Sequence, residues 1–139
     1  IQRPNTNWCE HLSQGLVENE HSYIILPFGA VELSVVLEGG FSSARRCDCS
    51  FCRRRGAIAA TVLPENLKVT KGEDKLSKYS FNTHTAQHYF CSVCGIYTHH
   101  RRRSNPNEYG VNVGALKGIN PRDLGEIKWA DGVNHPSDR

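Results

Sequence analysis

The cysteines constrain this chain more than any other feature, because five of the six fall in two tight groups. The first group is Cys47, Cys49 and Cys52, and the second is Cys91 and Cys94. Disulfide frameworks usually spread cysteines so that they close loops, whereas short gaps suit thiolates that share one tetrahedral metal ion. The spacing therefore favours a metal centre over a set of disulfides.

The Cys-x-Cys-x-x-Cys group offers three thiolates that a tight loop can point at one ion. Zinc is the best candidate, because it accepts thiolates and prefers tetrahedral geometry. The loop holds no fourth Cys or His, which favours an open position where a substrate thiol is held as a thiolate nucleophile. The neighbouring Arg53, Arg54 and Arg55 would suit a ligand with carboxylates. The alternative is a structural site completed by a distant residue.

The pattern of apolar residues predicts a mainly β fold with little helix. Val31, Leu33, Val35 and Leu37 alternate with more polar neighbours, as in a half-buried strand. Further short strands are predicted over 41–46, 57–62, 76–82, 87–91, 96–101 and 109–113, with at most one helical turn over 64–67. Many short strands with frequent turns favour an antiparallel sandwich or barrel-like sheet.

Length and composition indicate one domain that needs no membrane. The chain has 139 residues, which fits an irregular lead-in over 1–21 followed by a single domain over 22–139. No apolar run approaches the roughly 20 residues that span a bilayer, and no secretory signal pattern is present. We therefore expect a cytoplasmic protein, in which clustered thiols are ligands or redox centres.

Several motifs in a fixed order resemble one known family. They are 46–56 around the first cysteine group, 76–84, the run Gln87-His-Tyr-Phe-Cys-Ser-Val-Cys-Gly95, 103–106 and 109–112. Over about residues 29–116 this succession resembles the family of glutathione-dependent formaldehyde-activating enzymes (GFA), which also includes centromere protein V. The resemblance implies an Mss4-like zinc-binding fold of antiparallel sheets in a sandwich or tent-like arrangement.

The resemblance also implies two zinc sites and an activity. Cys47, Cys49 and Cys52 match the site that is open to glutathione, and Cys91 and Cys94 match half of a structural site. The implied enzyme is a carbon–sulfur lyase type that joins glutathione, or another small thiol, to formaldehyde or a similar small electrophile. The partners are thus a small thiol and a small aldehyde, with zinc as the cofactor.

One departure from the family pattern concerns the structural zinc site. Where the family has an early Cys-x-Cys, this chain has Leu26 and Phe28. Three hypotheses follow: the two apolar side chains fill the site, Cys9 and His11 replace the missing ligands, or the N-terminal segment is divergent and the domain impaired. The first or third is favoured, and at most one tightly bound zinc is predicted.

Four histidines have less certain roles in the sequence. His84 and His88 lie near the second cysteine group, where either could shuttle a proton at neutral pH or only hydrogen-bond locally. His99 and His100 are consecutive on a predicted strand, so at most one is expected to point inward.

A second hypothesis is a non-catalytic zinc module that binds nucleic acid or chromatin, as in centromere protein V. Clusters of arginine at 45–46, 53–55 and 101–103 favour it. The net charge of only +3 argues against it, so we expect no nucleic-acid partner.

Overall fold

The computed structural model describes residues 21–134, and within them strands are the dominant element. In this described part of the chain, one short α-helix, α1, spans Cys52–Arg55, and four 3-10 turns span Pro64–Asn66, Glu73–Lys75, Val113–Ala115 and Pro121–Leu124. The strands are β1 Ser22–Ile25, β2 Glu32–Val36, β3 Arg45–Cys47, β4 Ala59–Val62, β5 Leu67–Lys71, β6 Leu76–Tyr79, β7 Gln87–Cys91, β8 Tyr97–Arg101, β9 Tyr109–Asn112 and β10 Lys128–Ala130.

The strands form two sheets. A three-stranded sheet has the order β1-β2-β5, and a seven-stranded sheet has the order β10-β3-β4-β9-β8-β7-β6. All pairings are antiparallel except that of β10, which runs parallel to β3 at the edge of the larger sheet. The prediction of a mainly β, Mss4-like fold with little helix is confirmed, with this one parallel pair as an exception.

The predicted alternation on β2 builds the core. Val31, Leu33, Val35 and Leu37 are all fully buried, whereas the intervening Ser34 is exposed. Their side chains pack with apolar residues of the larger sheet, which include Ile58, Ala60, Val62, Val111 and Val113. One apolar cluster therefore joins the two sheets, and burial of such side chains is the main source of stability in folds of this kind.

The expectation for His99 and His100 is wrong, because both are buried, with 4% and 9% of their surface exposed. They do point to opposite faces of β8, but aromatic rings contact both of them: Tyr89 and Tyr109 lie against His99, and His88 and Tyr97 lie against His100. The His99 ring stacks on Tyr89 at a centroid distance of 4.5 Å and accepts or donates a hydrogen bond at Thr98. Aromatic neighbours thus bury an imidazole that the strand pattern alone would place in solvent.

Buried His99 predicts a pH dependence of stability. Burial lowers the pKa of His99 to about 4, whereas the unfolded chain would titrate near 6.5. Between these values the unfolded state binds more protons, so stability should fall as the pH is lowered from about 6.5 to about 4. In His99→Phe, the slope of the unfolding free energy against pH should be smaller by up to about 1.4 kcal/mol per pH unit. Urea unfolding across this range measures it, and equal slopes for the two proteins would contradict it.

A search of residues 21–134 for a helix long and apolar enough to cross a membrane finds none.

Candidate metal centre

The first cysteine group forms a convergent cluster. Cys47 ends β3, Cys52 begins α1, and the loop between them brings the sulfurs of Cys47, Cys49 and Cys52 within 4.8 Å of one another. Zinc–thiolate bonds of about 2.3 Å in a tetrahedron would require sulfur separations near 3.8 Å. Small side-chain rotations would achieve this, so the donor type, the number of ligands and the spacing all fit one thiophilic metal ion.

The chain itself fixes the shape of this loop. The backbone N–H of Cys52 points at the sulfur of Cys49 at 3.2 Å, and the N–H of Arg53 donates to the Cys49 carbonyl at 3.0 Å. The helix then ends at Gly56, whose φ of 70° is a left-handed conformation that glycine adopts without strain. The short helix therefore serves mainly to hold Cys52 in place.

The ionisation of the three thiols also favours a bound cation. Burial raises the pKa of Cys52 to about 12, although the nearby Arg55 acts in the opposite direction. Burial raises the pKa of Cys47 as well. Burial also opposes ionisation of Cys49, but the N–H groups that point at its sulfur outweigh it and lower its pKa. Three thiolates are therefore favoured together only when a metal ion neutralises them.

Arg55 connects the cysteine loop to the larger sheet. Its Nη2 lies 3.7 Å from the Cys52 sulfur, its Nη1 donates to Nδ1 of His88 at 3.1 Å, and its guanidinium lies over the Tyr97 ring at 3.7 Å. Because a guanidinium can only donate, Nδ1 of His88 is an acceptor and the ring proton resides on Nε2. Burial and then the charge of Arg55 lower the pKa of His88 to about 4, so this imidazole is neutral at neutral pH.

Tyr97 and His100 form a buried pair next to Arg55. The Tyr97 hydroxyl shares a hydrogen bond of 2.6 Å with Nδ1 of His100 and lies 3.4 Å from the Gly110 carbonyl, a second acceptor for its proton. Burial raises the pKa of Tyr97 to about 12 and lowers that of His100 well below its usual range, with Arg55 and Arg102 adding to the effect on His100. Both groups are therefore neutral at neutral pH.

These groups share one cavity of about 410 Å³, a size typical of small-ligand sites. Alternate residues of three strands line it, which means that it lies on one face of the larger sheet. The lining includes Arg45 and Cys47 from β3, Ala59 and Thr61 from β4, His100 from β8 with Arg102 just beyond it, and Phe51, Arg55, Phe81, His88, Tyr97, Arg103 and Asp131. Among residues 21–134, the lining includes four arginines and one carboxylate, a balance that gives the cavity a positive potential and suits an anionic ligand.

The residues after β10 close over the cysteine loop. The N–H of Gly132 donates to the Asp48 side chain at 2.8 Å, and the N–H of Asp48 approaches the Ala130 carbonyl at 3.4 Å. Gly132 lies so near the cluster that a Cβ atom there would be 2.6 Å from the Cys47 sulfur and 2.6 Å from Cys49 Cβ. The C-terminal strand is thus part of the wall around the metal centre.

Not all residues singled out from the sequence reach this site. Of the arginine run, only Arg55 turns into the cavity, while Arg53 and Arg54 are exposed. His88 lines the cavity, but His84 is exposed and pairs with Ser80 at 2.9 Å. For His84 the structure therefore agrees with the local hydrogen-bonding interpretation.

The second cysteine pair, Cys91 and Cys94, lies on a tight turn after β7. Cys91 is fully buried at the end of β7, and the chain then turns through Gly95, whose N–H donates to the Cys91 carbonyl at 2.7 Å. Burial opposes ionisation of Cys91, but the N–H groups of Cys94 and Val93 outweigh it and lower its pKa. Among residues 21–134, however, no third potential ligand joins this pair, since the one cluster of three is that of Cys47, Cys49 and Cys52. A role for Cys91 and Cys94 as metal ligands stays a prediction.

The hypothesis that Leu26 and Phe28 fill the second site is wrong for Phe28, which has 77% of its surface exposed. The alternation on which it rested does not extend that far, because β1 ends at Ile25 and the chain bends over 27–30. The alternative ligands Cys9 and His11 lie outside the described residues.

The fold and the site together define a mainly β protein with a cluster of three thiols that could hold a metal ion, at the edge of a basic cavity. A family model described as glutathione-dependent formaldehyde-activating enzyme matches residues 27–128. The chain therefore belongs to the family of glutathione-dependent formaldehyde-activating enzymes. It is also similar to a Rhodobacter sphaeroides protein whose crystal structure was solved by structural genomics, with 65% identity and a TM-score of 0.72. That match covers 73% of this chain and 94% of the other.

Sequence reasoning missed several residues of the cavity, chiefly Tyr97, Arg102 and Gly132. Tyr97 and Arg102 lie on or next to a strand that was predicted, but their direction depends on the pairing of β8 with its neighbours. Gly132 lies 84 positions after Asp48 in the sequence but contacts it in the fold, and no local sequence pattern predicts such a contact. The spacing of two residues between His100 and Arg102 is the signal that could have suggested a shared face.

Proposed function

We propose that this protein is a zinc-dependent enzyme that forms a carbon–sulfur bond between a small thiol and a small aldehyde. Cys47, Cys49 and Cys52 hold the zinc, and glutathione is the favoured thiol. Formaldehyde is the favoured aldehyde, so the product is S-hydroxymethylglutathione and the reaction is that of a carbon–sulfur lyase in reverse. The observation that carries the proposal is the convergence of three thiols at the wall of a positively charged cavity of about 410 Å³.

The chemistry needs no oxidant or reductant. When bound, zinc supplies a positive charge that favours the thiolate form of an incoming thiol. The thiolate sulfur bonds to the aldehyde carbon, the π electrons of the carbonyl move to its oxygen, and that oxygen takes up one proton. Thiol and aldehyde thus combine without any other product, and the cavity contributes by holding them together.

The residues around the cysteines provide orientation and hydrogen bonds. Arg55 offsets the negative charge of Cys52 from a distance of 3.7 Å. His88 uses Nδ1 as an acceptor, so it has an Nε2–H to donate within the cavity lining, and His100 is a second neutral imidazole in the same lining. Neutral donors of this kind stabilise the negative charge that develops on the aldehyde oxygen. Their low pKa values mean that they act as fixed dipoles and not as the groups that supply the proton.

The placement of the arginines supports an enzyme more than a nucleic-acid module. Arg45, Arg55 and Arg102 line a concave cavity together with the cysteines, whereas a phosphate backbone is bound by basic side chains on an accessible surface. Clustered thiolate ligands also fit a reducing compartment, and the cytosol is the location proposed.

A thiol should change the coordination of the metal in a way that can be counted. Adding glutathione to the zinc-loaded protein should raise the number of sulfur neighbours from three to four, because the thiolate takes the open position. X-ray absorption at the zinc edge, or sulfur-to-metal charge-transfer bands of the cobalt-loaded protein, measures this.

S-methylglutathione is the matched control, because its sulfur has no proton to lose and should leave the coordination unchanged. If glutathione at millimolar concentration gives no fourth sulfur, the open-site proposal is refuted. If it does, appearance of the S-hydroxymethyl adduct on adding formaldehyde, followed by NMR, tests the reaction itself.

A further inference from the structure

Arg102 has hydrogen-bonding capacity that the protein does not use. Its Nη2 donates to the Thr61 hydroxyl at 2.9 Å, but its Nε is buried and has no hydrogen-bond partner. Buried donors without an acceptor are uncommon in native proteins, and each one calls for a physical reason. Arg102 also lines the cavity that contains the cysteine cluster, which places its guanidinium where a ligand in that cavity can supply an acceptor.

Arg102 lies at the opposite end of the cavity from the metal centre. Arg45 on β3 faces Ala59 on β4, and the two strands are antiparallel. Cys47 lies two residues after Arg45 on β3, and Thr61, the partner of Arg102, lies two residues after Ala59 on β4. Because the strands run in opposite directions, these two displacements point to opposite ends of the sheet. Along the strand direction, Cys47 and Thr61 are therefore four residues apart, a distance of roughly 13 Å.

Arg45 and Arg102 have no acidic partner among residues 21–134. Arg45 uses Nη1 for the carbonyls of Ser42 and Ala44, and Arg102 uses Nη2 for Thr61. Within the stretch 21–134, no carboxylate forms an ion pair with Arg45, Arg55 or Arg102. A partly buried cation without a counter-ion is costly unless a ligand supplies the negative charge.

From these observations we propose that Arg102 and Arg45, with Thr61, form a carboxylate subsite that selects thiols carrying a carboxylate several bonds away from sulfur. The inference rests on the proposed function, since it assumes a thiol at the cysteine cluster. Guanidinium groups suit this role because their planar N–H donors match the two oxygens of a carboxylate. The separation from Cys47 fits a peptide-sized thiol, given that about 3.3–3.6 Å is spanned per extended residue and that arginine side chains are long.

The subsite predicts a selective loss of affinity. Binding to the cobalt-loaded protein is compared for glutathione and for glutathione diethyl ester, which keeps the thiol but has no free carboxylate. The unaltered protein should bind the ester about 10- to 100-fold more weakly than glutathione, as expected when a charge-assisted pair is removed. Arg102→Gln should bind glutathione about 10- to 100-fold more weakly than the unaltered protein, but the ester with unchanged affinity.

Two further variants keep the test informative. Arg102→Lys retains the charge and should lose less glutathione affinity than Arg102→Gln, which separates recognition from a folding defect. Arg122→Gln makes the same charge change at an exposed residue outside the cavity lining and should behave like the unaltered protein.

The outcomes distinguish this proposal from the function on which it rests. Equal affinity for glutathione and its ester, or equal losses of both in Arg102→Gln, would overturn the subsite and leave the thiol-binding metal centre in place. Calorimetric binding of S-methylglutathione, which cannot donate a thiolate, reports the subsite alone. Its dependence on Arg102 would support the subsite even if no thiol reaches the metal, and absence of that dependence would refute it.

Discussion

Cys49→Ser should purify with about a tenth or less of the zinc that the unaltered chain carries, because zinc prefers thiolates strongly over hydroxyl groups. Cys49 is the most favourable of the three thiols to ionise, since backbone N–H groups lower its pKa. Its loss leaves Cys47 and Cys52, whose pKa values burial raises. Two such ligands cannot replace a preorganised set of three, so the reaction should be lost together with the metal.

The measurement is zinc per chain after dialysis, together with the rate of adduct formation. Ser50→Ala is the matched control, because Ser50 is an exposed residue of the same loop whose carbonyl, and not its side chain, accepts from Arg54. Full zinc content in Cys49→Ser would show that the cluster is not the metal site.

The same measurement tests the number of metal ions. Because Cys91 and Cys94 have no third potential ligand among residues 21–134, one zinc per chain is expected, unchanged in Cys9→Ala. Two zinc ions that fall to one in Cys9→Ala would establish that the N-terminal cysteine completes the second site.

Local patterns were sufficient to predict much of the sheet and the metal cluster. The alternation from Val31 to Leu37 depends only on which side of one strand meets apolar neighbours, and all four predicted inward residues are buried. The cysteine loop is similarly local, since its three thiols lie within six residues and turn geometry alone can bring them together. Features that arise within one strand or one loop can therefore be predicted from the sequence.

Features that depend on distant strands were not predicted. β1, β5 and β10 were missed. β5 alternates Leu67 and Val69 with polar residues, but this short pattern was not recognised as a strand. β1 and β10 have only four and three residues, and β10 depends on its parallel pairing with the distant strand β3. His99 and His100 were misjudged for the same reason: whether a face of β8 is open is decided by Tyr89, Tyr97 and Tyr109 around it. The arginines at 53–55 give another example. The run is evident in the sequence, but the sequence does not show that, of these three, only Arg55 reaches the cavity.

Gly132→Ala should weaken zinc binding although residue 132 cannot be a ligand. A methyl group there would lie 2.6 Å from the Cys47 sulfur, 2.6 Å from Cys49 Cβ and 2.8 Å from the Cys49 nitrogen. Non-bonded heavy atoms of this kind are favourable at about 3.5–4.0 Å, so either the cysteine loop or the C-terminal strand must move. Since the loop and the strand are joined through Asp48, the displacement cannot be confined to one of them.

We expect the zinc affinity of Gly132→Ala to fall about 10- to 100-fold, the range seen when residues that support metal ligands are altered. The overpacked contact should also cost about 1–3 kcal/mol of unfolding free energy. Competition with a chelator measures the affinity, and urea unfolding measures the stability. Gly114→Ala is the matched control, because the nearest atom to its added methyl group is 3.4 Å away and it lies outside the cavity lining. If both variants bind zinc as tightly as the unaltered chain, the C-terminal strand does not support the metal centre.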